Sequence, residues 1–445
     1  MPDIVTSRVF VDGEKNITAQ KLNDIVASSV IQPVFVSAKP PASTVAPTDN
    51  LLVLTAAGSY AKAPFQTVID SVNAALNTNA QIWGVRLRSF QALGNNTFEV
   101  DQRTAGTGVV SPATGTFIQD RWQYAKVGTM ACSASQTSAA AGINLPGTSF
   151  AITRNFLRIT LTTAQASLAA GDTLSIAHSV EGPRWRELQN DVHSFQILVR
   201  TSVAGLSFGI ALRDSPGTKS LTNLLTIPAA NTWTLLTLPN LPVWPAGNFV
   251  NTSGNTGYIL NISLAAGSTF TSPANGTFQN GNFTGATGQS NFAASPVNST
   301  FDIAYISHEP GALCSNPPMD CDFQTNLDAC QRYFYKSQSY GILPGFAPTG
   351  AGNFQISAFA PPGNLGLAVN WPPFSKPMAK VPTVILWSPA VNNTPNFVYD
   401  YTSSAGRAVS TYNVNEKGLS SASLSTAATV AGAWLGAFMS ADTGW

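Results

Sequence analysis

The sequence predicts a mainly β chain: a small α/β unit at the N-terminus, a jelly-roll-like β-sandwich, and a second β-sandwich at the C-terminal end. Three observations point there. Apolar and polar residues alternate with period two through many short segments, as at Leu157, Ile159 and Leu161, or Leu174, Ile176 and Val180, the spacing of half-buried strands. Turn-forming clusters such as Ala169-Ala170-Gly171-Asp172 separate those segments. Only 10% of the 445 residues are charged, where an ordinary globular chain has about 25%, and Thr, Ser, Asn, Gly and Pro fill the difference. A chain this long holds roughly two to four domains with ample core.

The elements follow in order. Residues 18–30, TAQKLNDIVASSV, open on Thr18 as an N-cap and put Leu22, Ile25, Val26 and Val30 on one helical face. Residues 33–37 read as a strand, KPPASTVAPT as an extended connector, and LLVLTAAGSYAKAPFQTVIDSVNAAL as strand, turn and a second helix carrying Phe65, Val68 and Ile69. Residues 1–80 thus form a unit too small to bury much by itself, whose apolar helix faces fit copies of itself or a partner. Residues 81–114 read as a connector with two short strands around Gly94-Asn95-Asn96.

The first sandwich is placed at 115–312. Phe117, Ile118, Trp122 and Tyr124 supply core, and about nine strand-length segments follow, among them SFQILVRTSVAGLSFGIALRDS, NTWTLLTLP, TGYILNISLAAGSTF and STFDIAYISHEPG. The C-terminal β domain is placed at 313–445, with strands at YFYKSQSY, NFQISAFA, TVILWSP, FVYDYTS and AWLGAFMS, punctuated by Pro361-Pro362 and Pro372-Pro373 where central strands cannot lie.

Several phrases, taken in one order, carry more than composition: LAAGDTLSIAHSVEG, LAAGSTFTSPANGTFQNGNFTGATGQ, IAYISHEPG and CQRYFYK, with MAKVPTVILWSP and WLGAFMSADTGW at the end. Together they resemble the tail fibre and minor virion structural proteins of tailed bacteriophages, over roughly residues 115 to 445. The resemblance implies β-sandwiches presented to a host cell on the virion, usually in a homotrimer; residues 1–80, which match less closely, are read from their apolar helix faces as an attachment and trimerisation module toward other virion proteins, or else as a mini-domain packing on the following sandwich. It implies host-surface recognition, with a glycan as the receptor class, and no shared catalytic set. A purely structural head or collar fibre, decoration protein or baseplate subunit is the alternative. The stretch GALCSNPPMDCDFQTNLDACQRYFYK is longer and richer in cysteine than the family pattern, so its local structure does not carry over.

Charge and motifs exclude other classes. A net charge of +1 offers nothing to attract nucleic acid or an anionic membrane. The start, MPDIVTSRVFVDGEKN, lacks a basic n-region and apolar core, so no secretory signal is expected, and no apolar run is long enough for membrane insertion. His178, His193 and His308 have no metal partner at motif spacing and are expected to be structural; no cofactor or metal is expected. Cys314, Cys321 and Cys330 match no paired zinc signature; buried thiols, or a Cys314–Cys321 disulfide closing a Pro-Pro loop, remain as alternatives. Glu181, Glu187 and Asp191, or Asp320 with Asp322, could be paired carboxylates. With no repeat and no GxSxG, P-loop or HExxH, no enzyme is expected.

Sugar binding needs exposed aromatic rings beside polar groups. The candidates are Trp185 in GPRWRE, Trp371 in AVNWPPF with Asn370, and Tyr399 and Tyr401 in NFVYDYTS with Asp400. Rings of this kind in a β protein more often pack in a core or on a sheet face.

Overall fold

A computed structural model describes residues 50–54, 60–64, 92–149, 151–314, 323–346, 354–357, 366–368, 373–390, 394–424 and 434–444. The chain divides into two compact units, 1–88 and 89–445. In the first, β1 (Asn50–Leu54) and β2 (Tyr60–Pro64) pair as an antiparallel hairpin, with Asn50 opposite Pro64. The helix-face residues Leu22, Ile25, Val26, Val30, Phe65, Val68 and Ile69 lie outside the described residues.

The second unit opens with the sandwich. Its strands are β3 (Val109–Val110), β4 (Phe117–Gln119), β5 (Trp122–Val127), β6 (Ala131–Asn144), β7 (Ala151–Thr163) and β8 (Thr173–Glu181). The short helix α1 (Gly182–Arg186) follows, then β9 (His193–Thr201), β10 (Leu206–Arg213), β11 (Lys219–Ile227), β12 (Thr234–Leu241), β13 (Thr256–Ala266), β14 (Phe278–Asn280) and β15 (Thr300–Pro310). Seven strands in the order β14-β11-β10-β13-β8-β5-β4 face six in the order β12-β9-β15-β7-β6-β3, all antiparallel. The alternation explains the core between them: Leu157, Ile159 and Leu161 of β7, Phe195, Ile197 and Val199 of β9, and Tyr258, Leu260 and Ile262 of β13 all point inward.

Two expectations change here. Among the described residues no strand follows Gly94-Asn95-Asn96 before Val109, the residues ahead of Ala92 lie outside the described ones, and residues 92–108 are no free connector. Ala92, Leu93 and Phe98 enter the sandwich core, and Asn95 Nδ2 donates to the Val100 and Asp120 carbonyls while its Oδ1 accepts from Val100 N–H. A buried asparagine satisfies these turn groups where a ladder would otherwise have been needed. The sandwich core therefore takes in residues from Ala92 on, ahead of the 115 at which the sequence places its start.

The two LAAG turns, 168–171 and 264–267, meet in space. Gly267 N–H donates to the Asp172 carbonyl at 2.7 Å and Thr269 N–H to that of Ala170 at 3.0 Å.

The C-terminal part consists of α2 (Phe323–Gln331), β16 (Phe334–Lys336), β17 (Phe354–Ser357), β18 (Gly366–Ala368), β19 (Thr383–Trp387), β20 (Phe397–Asp400), β21 (Ala405–Asn415), β22 (Gly418–Leu424) and β23 (Trp434–Asp442). The last strand organises it. β23 pairs with β17 and β20 along its first half and with β16 and β19 along its second, so one strand ties the eight-stranded sheet together around a small core. Val384, Leu386, Val398, Leu424, Leu435, Ala437 and Met439 fill that core.

CQRYFYK is the segment that joins the two parts. Arg332 and Tyr333 hydrogen-bond the Glu181 carboxylate at 2.7 Å each, and the Arg121 guanidinium lies 3.6 Å above the Tyr333 ring. Arg103 is clamped between Phe117 and Phe334, at 3.7 and 4.2 Å from the ring centres. The buried Lys336 ammonium donates to three carbonyls, those of Gln102, Tyr340 and Ile342. Arg332, Tyr333, Phe334 and Lys336 thus reach back into the sandwich, through charge-assisted hydrogen bonds and cation–ring contacts that a low-charge protein uses sparingly.

Candidate functional site

β19 alternates: Val384 and Leu386 enter the core, while Thr383, Ile385 and Trp387 face outward. These three outward side chains floor a groove of about 760 Å³ beside the junction, walled by Val381, Phe334 and Pro344 on the apolar side and by Arg103, Asp442, Lys380, Ser440 and Thr443 on the polar side.

Its groups are fixed by their neighbours. Trp387 Nε1 donates to Ser440 Oγ at 3.0 Å, which sets the ring plane. Gly345 (φ +82°) lies flat against that ring, so that a Cβ there would stand 2.5 Å from Trp387 Cε3. Arg103 grips Asp442 with both Nη atoms, the second at 3.0 Å to Oδ1, and the pair joins positions 339 residues apart. The Arg103 side chain is 9% exposed and that of Asp442 34%, so the carboxylate forms the solvent rim of the pair. The groove therefore offers an indole, a branched aliphatic wall, a carboxylate acceptor, hydroxyls and two cations. That mixture suits a ligand with both C–H faces and hydroxyl groups.

The residues singled out in the sequence fare differently. Trp185 is 7% exposed, stacked on Phe249 at 5.6 Å and edge-on to Trp244 at 6.1 Å. Its expected role as an exposed sugar platform is corrected: α1 turns the ring inward to close one end of the sandwich. Asp400 is likewise buried, its carboxylate accepting from Thr402 N–H, Ser403 N–H and Oγ, and Arg407, so it braces the turn after β20 and faces no ligand. Tyr399 and Tyr401 do come together, rings edge to face at 4.9 Å, with Tyr401 39% exposed. Trp371 and Asn370 lie outside the described residues.

None of the groove residues is among the sugar-binding candidates of the sequence, Trp387 included. The signal was present in TVILW, where strict alternation puts the tryptophan opposite the two core residues.

All three histidines are buried. Tyr258 Oη, His308 Nδ1, His308 Nε2 and His193 Nδ1 form a chain with links of 2.5 and 2.8 Å inside the core. Burial drives all three histidines below their ordinary pKa, His193 to about 4. Of the carboxylates considered as pairs, Glu181 is taken up by the junction, Glu187 sits exposed beside Arg186 at 3.8 Å, and Asp320 and Asp322 lie outside the described residues. Among the described residues no group of three metal-ligating side chains converges, and Cys132, Cys314 and Cys330 carry free thiols.

No protein-family model matches the chain, and no curated protein matches it. Among solved structures the chain has matches of low similarity. TmCBM61 in complex with β-1,4-galactotriose is 12% identical over 50% of this chain and 99% of its own, with a TM-score of 0.26. The family 11 carbohydrate-binding module from Clostridium thermocellum, bound to a mixed-linked tetrasaccharide, is 12% identical over 46% of this chain and 96% of its own, with a TM-score of 0.23. The enzymatically active domain of tailspike protein 4 from bacteriophage CBA120 is 9% identical over 50% of this chain but only 21% of its own, with a TM-score of 0.25. At such identities a shared layout of strands says nothing of a shared ligand.

Proposed function

We propose that this chain is a fibre protein of a bacteriophage particle whose C-terminal β part recognises a glycan on the host surface, by binding and without catalysis. The observation that carries the reading is the groove on β19. Trp387 offers a ring face held in place by Ser440 and Gly345, and Asp442, Lys380 and the hydroxyls of Thr383 and Thr443 stand around it to exchange hydrogen bonds with sugar hydroxyls. Aromatic faces take the C–H side of a sugar ring, and fixed polar groups choose among hydroxyl patterns. The ordered resemblance through CQRYFYK supports the virion setting, in which residues 1–80 attach to other virion proteins and copies of the chain assemble as a homotrimer.

The test is a glycan array followed by calorimetry on the hits, with Trp387→Ala, Asp442→Asn and Trp185→Phe in parallel. Trp387→Ala is expected to weaken binding about tenfold or more, roughly 1.4 kcal/mol. Trp185→Phe, in the core, is expected to leave affinity unchanged. Binding that survives Trp387→Ala would remove the groove from the reading. A protein that binds no glycan would be a structural subunit of the particle instead.

A further inference from the structure

The outer face of the six-stranded sheet carries a second arrangement that the groove does not use. Strand register lines up one row across it. Asp302 of β15 lies opposite both Arg200 of β9 and Arg158 of β7, Arg158 lies opposite Ser135 of β6, and Thr234 opposite Val199 brings Trp233 beside Arg200. The side chains meet accordingly. Arg158 Nε and Nη2 donate to Asp302 at 2.8 and 2.9 Å, and Arg200 Nε and Nη2 donate to the same carboxylate at 3.0 and 2.7 Å. Arg200 lies 4.5 Å from the centre of the Trp233 ring, and Phe156 meets that ring edge to face at 5.5 Å.

One arginine would neutralise Asp302. The second leaves the row with a surplus positive charge, in a chain whose whole net charge is only +1. Asp302 is 1% exposed and saturated with four hydrogen bonds, whereas Arg158 and Arg200 are 33% and 26% exposed. A guanidinium has five N–H donors and each here spends two on Asp302, so three from each remain for another acceptor. Asp302 thus acts as the fixed post that holds two planar cations in one orientation. Preorganised donors of this kind suit an oxyanion. Beside the row, Ile143 and Leu145 at the tip of the β6–β7 hairpin, with Leu198 and Tyr305, form a separate apolar cluster that ends at Phe156 and Trp233.

We propose that this row is a second binding site, which takes the carboxylate of an acidic sugar between Arg158 and Arg200 with the sugar ring against Trp233. It rests on the glycan-recognition reading for its ligand class and not on the groove. The test is titration of the full chain with an oligogalacturonate and with its carboxyl-reduced, neutral counterpart, using wild type, Arg200→Gln, Trp233→Ala and Trp387→Ala. The wild type is expected to bind the acidic form about tenfold tighter or more, with an affinity that falls as salt screens the charges. Arg200→Gln leaves a neutral Arg158–Asp302 pair and is expected to abolish the preference; Trp233→Ala, which touches no charge, weakens binding and covers the case in which the arginine variant fails to fold. Trp387→Ala is expected to leave acidic binding intact. Equal affinity for the two probes, or binding unaffected by Trp233→Ala, would overturn the proposal. If a neutral glycan binds through Trp387 while the oligogalacturonate does not bind, the row fails and the groove stands; loss of acidic binding in Trp387→Ala alone would assign the anion to the groove.

Discussion

Glu181 ends β8 at the point where the sandwich meets CQRYFYK. Its burial favours the neutral acid, but Arg332, Tyr333 and the Gly254 N–H all donate to the carboxylate and together hold its pKa down at about 2. A carboxyl depressed from 4.5 contributes stability that is complete above pH 4.5 and is lost as the pH falls toward 2. Glu181→Gln keeps the shape and removes the charge, and is expected to cost about 2–3 kcal/mol of unfolding free energy in urea at pH 7. Glu187→Gln is the matched control. Its partner Arg186 stands 3.8 Å away with both side chains at least half exposed, and it should change stability by less than about 0.5 kcal/mol. Equal effects from the two variants would mean that the junction does not depend on Glu181. None of this pairing was legible in the sequence, because Glu181 and Arg332 are 151 residues apart and adjacency across a fold has no local signature. The same holds for Arg103 and Asp442 in the groove, whereas Trp387 could have been found from alternation alone. Trp185 misled for a physical reason. Its charged neighbours in GPRWRE suggested an exposed turn, but Arg184 and Arg186 occupy different sides of the short helix from the ring, which goes into the core.

At the scale of elements, what the sequence disclosed depended on how each strand is held. β7, β8, β9, β13 and β15 alternate because one face meets the core, and each was read correctly. β6 escaped: ACSASQTSAAAGIN is small and polar, with little intrinsic strand preference, and it is extended because β7 pairs along nearly its whole length. β21 and β22 escaped similarly, their hairpin turned at Asn415, whose side chain accepts from Lys417 and Gly418 N–H. The paired LAAG turns show how identical local sequence acquires different meaning from its surroundings. At Gly267 an added Cβ would collide with the Ala169 carbonyl oxygen, a backbone atom that cannot swing aside; at Gly171 nothing lies within 4 Å. Gly267→Ala is therefore expected to destabilise by about 1–3 kcal/mol through enforced separation of the two turns. Gly171→Ala should be neutral or stabilise by up to about 1 kcal/mol, by narrowing the unfolded ensemble. Thermal unfolding of the two variants side by side decides it; similar losses at both sites would mean that the turns do not pack as described.

For the whole molecule, acid is the revealing variable, because all three histidines of the chain are inside it. His178, His193 and His308 are each nearly or fully inaccessible. Burial depresses the pKa of all three, helped by the Arg121 charge at His178 and by His193 at His308. Below pH 6.5 the unfolded chain protonates them while the folded chain holds them neutral, so the stability they contribute is complete above 6.5 and declines as the pH falls toward about 4. Asp120 opposes them. Burial, only partly offset by Arg103, raises its carboxyl to about 6, so the folded chain binds one proton there that the unfolded chain does not take until about 3.8. Three protons favour the unfolded state and one favours the folded, a net of two near pH 5, or about 2.7 kcal/mol per pH unit. Urea midpoints at pH 7, 6 and 5 should accordingly fall over both steps, by the equivalent of about 1.7 kcal/mol over the first and about 2.6 kcal/mol over the second, with uptake of about two protons on unfolding at pH 5. Replacing Asp120 with Asn should steepen the drop, since it removes the opposing proton and leaves the histidines alone. Midpoints that stay level from pH 7 to pH 5 would require charged histidines within the core, which neither the Tyr258–His308–His193 chain nor the Arg121 charge beside His178 could accommodate.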